Sequence, residues 1–567
     1  DSRRSGALRP YSECIRGNMA KKKKLTGTAA APKTQASAAA KASKQNVQSD
    51  SRPAWLAGAW LMLIFGLFPL IFTDRYFNML ETKLVTFVTV SLLLILCMGV
   101  VYLDGGRQFK PFGDRSDMNR ADWAVLAFFG FSLLATLLSG KFMYQALTGI
   151  EGRYVGFLYI VLITLVYFLV ARNLKYSKKY LTVFLSVGLA VCLLGYSDFY
   201  NLDLLNFREE MLPEQYGMFM STFGNINTYT VYVALVVAVS GTLFALSEEK
   251  TGRIGFYYLV YLVSTLALIT GASDNAYLSL AGLFGALPFA AFRSRKGRAR
   301  YFLLLSTLIL AICYIAGISV SMAGKVLPLY GLFRVLGGIR PLPYLGAVLG
   351  IVSLVLLYRE RNKEITESAH AKRWIRGYTA VLCLSLLAFI AVFAYANSLP
   401  YETVKEKFGG LADYLKFRDE WGTFRGYVWR AGIDEYLHLP ILNRIFGSGP
   451  DTFVSYMVTH RWNEMNYIAG QYYDSAHNEY IQYLFTVGPF GLLAHLSILV
   501  FSVKAAFQKA RALNEKRDGS LPRANSAYLY AIGVAMVCYA CQAFVNINVP
   551  VASPVFWGLI ALGRAAE

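Results

Sequence analysis

Apolar runs of about 20 residues recur from residue 54 to residue 564, separated mostly by short polar stretches rich in Lys and Arg. A helix needs about 20 mainly apolar residues to cross the hydrocarbon of a bilayer. The pattern predicts about fourteen such helices, over 54–73, 84–103, 121–139, 154–171, 180–198, 225–247, 254–271, 275–292, 301–321, 341–358, 374–396, 478–503, 526–545 and 550–564. The expected fold class is an all-α polytopic membrane protein.

The basic residues test this count, because a missed or invented span would invert every later loop under the positive-inside rule. Arg107, Lys110, Arg115 and Arg120 form one basic connection, and Arg172, Lys175, Lys178 and Lys179 the next. The run "RSRKGRAR" from residue 293 follows, then Arg359, Arg361, Lys363, Lys372, Arg373 and Arg376, then Lys504, Lys509, Arg511, Lys516, Arg517 and Arg523. These alternate with connections poor in Lys and Arg, of which 199–224 carries Asp203, Glu209, Glu210 and Glu214 against Arg208. Both termini are expected in the cytoplasm.

Composition sharpens this reading. The chain is 56% hydrophobic, too apolar for one soluble core of this length. Its net charge of +21 lies mostly in clusters between apolar runs, which is a topology signal rather than a nucleic-acid footprint. Six of the seven Cys lie inside apolar runs, where a thiol behaves as a small hydrophobe, and no second pair or nearby His completes a metal site around Cys538 and Cys541.

Residues 1–18 precede Met19 and read as a vector-derived leader. Residues 19–52, basic and poor in apolar side chains, read as a disordered cytoplasmic tail. Residues 53–396 then hold the first eleven helices, 397–477 one large external loop, and 478–567 the last three. The loop is rich in aromatic and aliphatic residues, and Phe424, Tyr427, Val428, Ala431 and Tyr436 predict an amphipathic helix lying against the membrane domain. "FGSGPDTF" punctuates it with Gly447, Gly449 and Pro450.

The chain has five His, and one of them, His477 in "DSAHNEYIQYLF", directly precedes a predicted span. A helix starting at His477 and capped by Asp474 or Ser475 would place the ring in the first turn, where the dipole favours neutral imidazole, the form a general base requires. The bland alternative is an interfacial His that hydrogen-bonds the loop. His495, eighteen residues on, would sit about 27 Å further along a continuous helix and reach the same site only across an extreme kink at Gly488-Pro489. Arg425 and Arg430 flank Trp429 in "FRGYVWR", and Arg153 stands at a span end in "GIEGRYVGF". Guanidinium groups bind phosphate oxygens bidentately and keep their charge, so such a cluster suits a diphosphate-linked lipid, although each alone also fits a surface or snorkelling role. No phosphate-binding Gly-rich loop, HExxH or paired-carboxylate metal motif occurs, and intramembrane acids are scarce.

Four stretches resemble the O-antigen ligase and O-antigen polymerase family of bacterial membrane glycosyltransferases. "RGYVW" (425–429), "FGSGPDTF" (446–453) and "SAHNEYIQYLFTVGPFGLL" (475–493) follow the family's order, and "STFGNINTYTVYVAL" (221–235) is similar to its Gly-Asn-x-Asn element. The similarity covers roughly residues 140–500. It departs at "GASDNAYLSL", where Asp274 and Asn275 stand in place of Arg-Gly, removing an expected basic contact.

The resemblance implies a GT-C-like fold in the bacterial cytoplasmic membrane and inverting, metal-independent transfer of an undecaprenyl-diphosphate-linked glycan. The acceptor would be a glycan, lipid or protein, with no cofactor and no nucleic acid. His477 would assist the acceptor hydroxyl and Arg425 bind the diphosphate, with Arg153, Arg430, Asn478, Asn225 and Asn227 as further substrate-binding candidates. Two competing readings stand beside it. About fourteen spans also suit a lipid-linked oligosaccharide flippase or small-solute transporter, which would show repeated halves and a polar midplane. A scaffold without chemistry would tolerate Ala at Arg425 and His477.

Overall fold

The computed structural model describes residues 51–105, 110–363, 367–515 and 524–566. The leader, nearly all of the basic tail, and Arg107, Lys516, Arg517 and Arg523 lie outside the described residues. Helix α1 (Arg52–Met62) is followed by α2 (Met79–Gly105), α3 (Arg120–Leu137), α4 (Phe157–Asn173), α5 (Lys178–Phe199) and α6 (Ile226–Leu246). Next come α7 (Thr251–Thr270), α8 (Asp274–Ala286), α9 (Arg295–Ser321), α10 (Leu342–Arg359) and α11 (Ala371–Ser398). The long polar segment contributes α12 (Trp421–His438) and α13 (Phe453–Ala469), and α14 (Glu479–Glu515), α15 (Ala524–Gln542) and α16 (Ser553–Ala566) close the described chain.

Each of the fourteen predicted spans coincides with a helix, so the protein is an all-α polytopic membrane protein. Among the described residues, ten helices are long and apolar enough to cross a membrane unaided, while those at 52–67 and 157–173 are shorter. α8 and α16, of 13 and 14 residues, are shorter still. Apolar periodicity finds each buried segment but cannot tell a full crossing from a half-length helix buried by its neighbours.

Helix α6 is buried along nearly its whole length, which its uninterrupted apolar sequence allows, and α7 and α15 pack on it. Helix α11 is the opposite case, apolar on all sides yet almost wholly exposed, as a helix facing lipid would be. At one end of the bundle the buried Asp122 of α3 accepts from Arg172 at 2.7 Å, Tyr167 at 2.7 Å and Arg564 at 3.2 Å, tying α3, α4 and α16 together. Near the start, buried Lys83 donates to the carbonyls of Phe68, Pro69 and Ile71 at 2.9–3.2 Å, satisfying the open end of the first helical segment.

The element that shapes the site is α14. Its helical geometry fails at Gly488 (φ 72°, ψ 175°), directly before Pro489. Proline has no N–H to give the carbonyl of Phe485, and the break removes the partner of Thr486 as well. The N–H groups of Ser448 and Gly449 fill both vacancies, donating to Phe485 at 3.0 Å and Thr486 at 2.9 Å. Here "FGSGPDTF" is more than turn punctuation: it hydrogen-bonds to a broken helix. The backbones approach so closely that a Cβ on Gly447 would lie 2.3 Å from the Thr486 carbonyl, and one on Gly488 would lie 2.5 Å from that of Ile445.

The segment between α11 and α14 has its own small core. Tyr427, Val428 and Ala431 of α12 pack with Phe453, Met457 and Met465 of α13 and with Phe485 of α14, while Phe424 and Tyr436 flank them. The predicted apolar face is therefore present, although it packs on α13 as well as on the membrane domain. The true helix starts later than its periodicity suggests, because Gly422, Thr423 and Phe424 all hold left-handed φ values of 58–65° and regular helix begins at Arg425.

Candidate functional site

His477 does not begin a helix. The first helical residue is Glu479, and the cap is Asn478, whose Oδ1 accepts from the N–H of Tyr480 at 3.0 Å and of Ile481 at 3.1 Å. The expected cap by Asp474 or Ser475 is thus corrected, and Asn478 is absorbed in capping. His477 stands just outside the helix with φ 45°, a left-handed conformation that His adopts more readily than most residues. Hydrogen bonds to its neighbours hold it there. Trp429 Nε1 donates to the Ala476 carbonyl at 2.9 Å, and the Ala476 N–H donates to Gln482 Oε1 at 3.0 Å.

The ring of His477 is 25% exposed. It meets Tyr473 edge-on at 6.0 Å between ring centres, with Nε2 4.0 Å from Asp474 Oδ1. Burial lowers its pKa to about 4, with the Arg425 charge and then Arg153 adding to the drop and Asp474 opposing it. The ring is therefore neutral at ordinary pH, as a base must be, with burial the largest cause and the Arg425 and Arg153 charges adding to it.

Arg153 is buried and pairs through Nε with Asp451 Oδ1 at 2.9 Å, while its Nη1 lies 3.8 Å from Asp474. Asp451 also accepts from the N–H of Ile150 at 2.9 Å, so one carboxylate fastens the "GIEGRYV" turn to the glycine-rich loop. Burial pushes the Asp451 pKa up, against the pull of Arg153. Arg425 donates through Nη1 to Asp274 Oδ2 at 2.9 Å and to the Gly422 carbonyl at 2.8 Å. Its Nε is buried and finds no hydrogen-bond partner among the described residues. The departure noted at Asp274 thus places an acid directly on Arg425.

Asp274 belongs to a wider polar seam. Ser273 Oγ donates to Asn227 Oδ1 at 2.6 Å, and Asn275 Nδ2 donates to the Asn227 carbonyl at 3.0 Å. Asn225 caps α6 by accepting from the N–H of Asn227 at 2.8 Å, and Asn546 reaches the same Asn227 carbonyl at 3.3 Å. Hence the Gly-Asn-x-Asn element, through Asn227, and Arg425 meet on the same three residues, 273–275. Arg430 is not drawn into this cluster: its fork is closed by Asp419 at 2.9 and 2.8 Å, and it is 48% exposed.

Sequence reasoning missed Asp451 and Glu479 and took Asp474 only as a cap. Asp451 lies inside the quoted "FGSGPDTF", and Asp474 and Glu479 lie inside "DSAHNEY", so position next to the motifs was the available signal. Glu479 Oε2 accepts from Tyr539 at 3.0 Å, and a pocket lined by Arg153, Asp451, Glu479, Gln482 and Tyr483 lies beside the Arg153 pair. Asn548, from the link between α15 and α16, also lines that pocket and donates to Tyr483 at 3.2 Å. Nothing in the local sequence marks Asn546 or Asn548, whose role depends on tertiary placement.

Two separated arginines, each matched by a carboxylate, converge electrostatically on one neutral imidazole at the end of a broken membrane helix. Residues 329–496 match the family model described as O-antigen ligase, a span that holds Arg425, Asp451, His477 and Glu479. This region is therefore of the O-antigen ligase type, as the motifs imply, which supports a membrane role of glycosyltransferase type with a lipid-linked glycan and an acceptor as partners. Arg153, Asn227 and Asp274 lie outside the matched span. No curated protein matches the chain.

Proposed function

We propose that the protein transfers or polymerises a glycan carried on undecaprenyl diphosphate, at the external face of the bacterial cytoplasmic membrane. The observation that carries this reading is a half-satisfied Arg425, bound by Asp274 and with its buried Nε unpartnered among the described residues, together with Asp474, which lies 3.8 Å from Arg153 and 4.0 Å from the His477 ring, within a region of O-antigen ligase type.

In this reading Arg425 binds the diphosphate of the donor. His477 takes the proton from the acceptor hydroxyl as its oxygen attacks the anomeric carbon. The bond from that carbon to the phosphate oxygen breaks on the opposite face, the sugar inverts, and the lipid diphosphate leaves with its new charge held by Arg425. Fixed guanidinium charge then serves where other enzymes use a divalent ion, so transfer is expected to be metal-independent. Arg153, tied to the buried Asp451, keeps a positive charge near the ring and holds the glycine-rich loop. A bound diphosphate offsets the Arg425 charge, the second cause of the lowered His477 pKa after burial, and so raises the basicity of the ring in part when the donor is present.

The test is transfer by purified protein in lipid, with EDTA and a supplied undecaprenyl-diphosphate glycan, following glycan lengthening together with release of the lipid diphosphate. Transfer with stoichiometric release supports the reading. Movement of intact donor across the bilayer without transfer replaces it with the flippase.

A further inference from the structure

The two arginine–carboxylate pairs of the site are built differently. Asp451 is fully buried and holds both Arg153 and a backbone N–H, so nothing that reaches the site can replace it without opening the fold. Asp274 is 31% exposed and covers a guanidinium that is only 9% exposed. Of the groups on Arg425, the Gly422 carbonyl belongs to the backbone, whereas the Asp274 carboxylate sits on a partly exposed side chain in the first turn of α8, with rotatable bonds between it and the backbone. The backbone beneath it stays anchored when the carboxylate swings, because Ser273 and Asn275 are both hydrogen-bonded to Asn227.

We infer that Asp274 is an exchangeable counter-ion of Arg425, occupying the place of the donor's diphosphate until the donor displaces it, and so setting the affinity of the site for lipid-linked diphosphate. This rests on the assignment of Arg425 to the diphosphate. A carboxylate and a phosphate oxygen compete for the same planar fork. The carboxylate weakens binding of the donor and, equally, of the lipid diphosphate left after transfer, which lets the product go. Removing the acid therefore tightens both complexes and slows turnover wherever product release limits it.

The experiment measures binding of undecaprenyl diphosphate in detergent micelles to the full chain, for wild type, Asp274→Asn, Arg425→Ala and the double variant, with inorganic pyrophosphate as a second probe. Asp274→Asn is expected to tighten binding of the lipid by roughly severalfold to tenfold, as loss of a partly exposed competing charge implies. The double variant should lose that gain. Pyrophosphate should follow the same order if the head group alone is read, and a gain confined to the lipid overturns the counter-ion account. Unchanged or weaker binding by Asp274→Asn with Arg425→Ala still defective overturns the inference but leaves the donor assignment standing. Equal binding by wild type and Arg425→Ala instead removes the donor assignment itself. Asp274→Ser, which also lacks the charge, provides the same comparison if the amide disturbs α8.

Discussion

Nε2 of His495 lies 3.4 Å from Oε1 of Glu479, although sixteen residues separate them on what would otherwise be one helix. A straight helix would hold them about 24 Å apart. The contact is the measure of the break at Gly488-Pro489, which folds the start of α14 back along the rest of it. Both side chains are buried, and His495 also packs on Tyr483 at 4.6 Å between ring centres.

Loss of either partner should therefore reduce stability before it touches chemistry. His495→Ala leaves a cavity and Glu479→Ala strands the Tyr539 hydroxyl, for about 2–4 and 1–3 kcal/mol respectively. Glu479→Gln keeps an acceptor for Tyr539 and should unfold close to wild type. Thermal unfolding in detergent, followed by tryptophan fluorescence, checks the order.

The glycine-rich loop makes a second expectation. Gly447 and Gly488 both have positive φ and both face backbone of the other segment, so alanine at either position meets strain and a steric clash together. Each variant should express poorly or lose several degrees of thermal stability. Alanine at Gly470, also at positive φ but in open space, should cost only about 1 kcal/mol.

The pH profile reports the environment of His477. With its pKa lowered to about 4 in the free protein, the ring stays neutral well below pH 6.5, so kcat/KM for the donor should hold steady from pH 8 to about 5 and fall only as pH drops through about 4. Because donor charge offsets Arg425, the acid limb of kcat itself should lie at higher pH. The same depression makes folding stability sensitive to acid: protonation favours the unfolded chain, so this residue's contribution is present above pH 6.5 and is lost as pH falls towards 4. Coincident limbs near pH 6.5 in both profiles would remove the proposed influence of Arg425 and Arg153 on the ring.

How far the chain discloses this depends on the scale of the signal. Long apolar runs and basic connections specify a helix at each of the fourteen predicted spans, because burial in lipid or protein demands them over many residues, whereas α13 and the short helices between spans carry no such signal. The ring of His477 and the fork of Arg425 were visible as unusual residues beside quoted motifs. Their environment was not, since the helix start moved to Glu479 when Asn478 rather than Asp474 or Ser475 captured the free N–H groups. The partners Asp274 and Asp451 lie 151 and 298 residues away from the arginines they hold, beyond the reach of local spacing. Glycines 447 and 488 read locally as a turn and a kink, and only their contact explains why the loop and the broken helix occur together.

The measurement closest to the central claim is steady-state transfer by Arg425→Ala and His477→Ala in lipid, resolved into kcat and KM for the undecaprenyl-diphosphate donor, with unfolding temperatures recorded alongside. The account predicts that His477→Ala lowers kcat by about 10² to 10⁴ with donor KM little changed. Arg425→Ala should raise KM and lower kcat, because it holds charge in both the bound donor and the departing diphosphate. Wild-type turnover by a folded His477→Ala protein would contradict it.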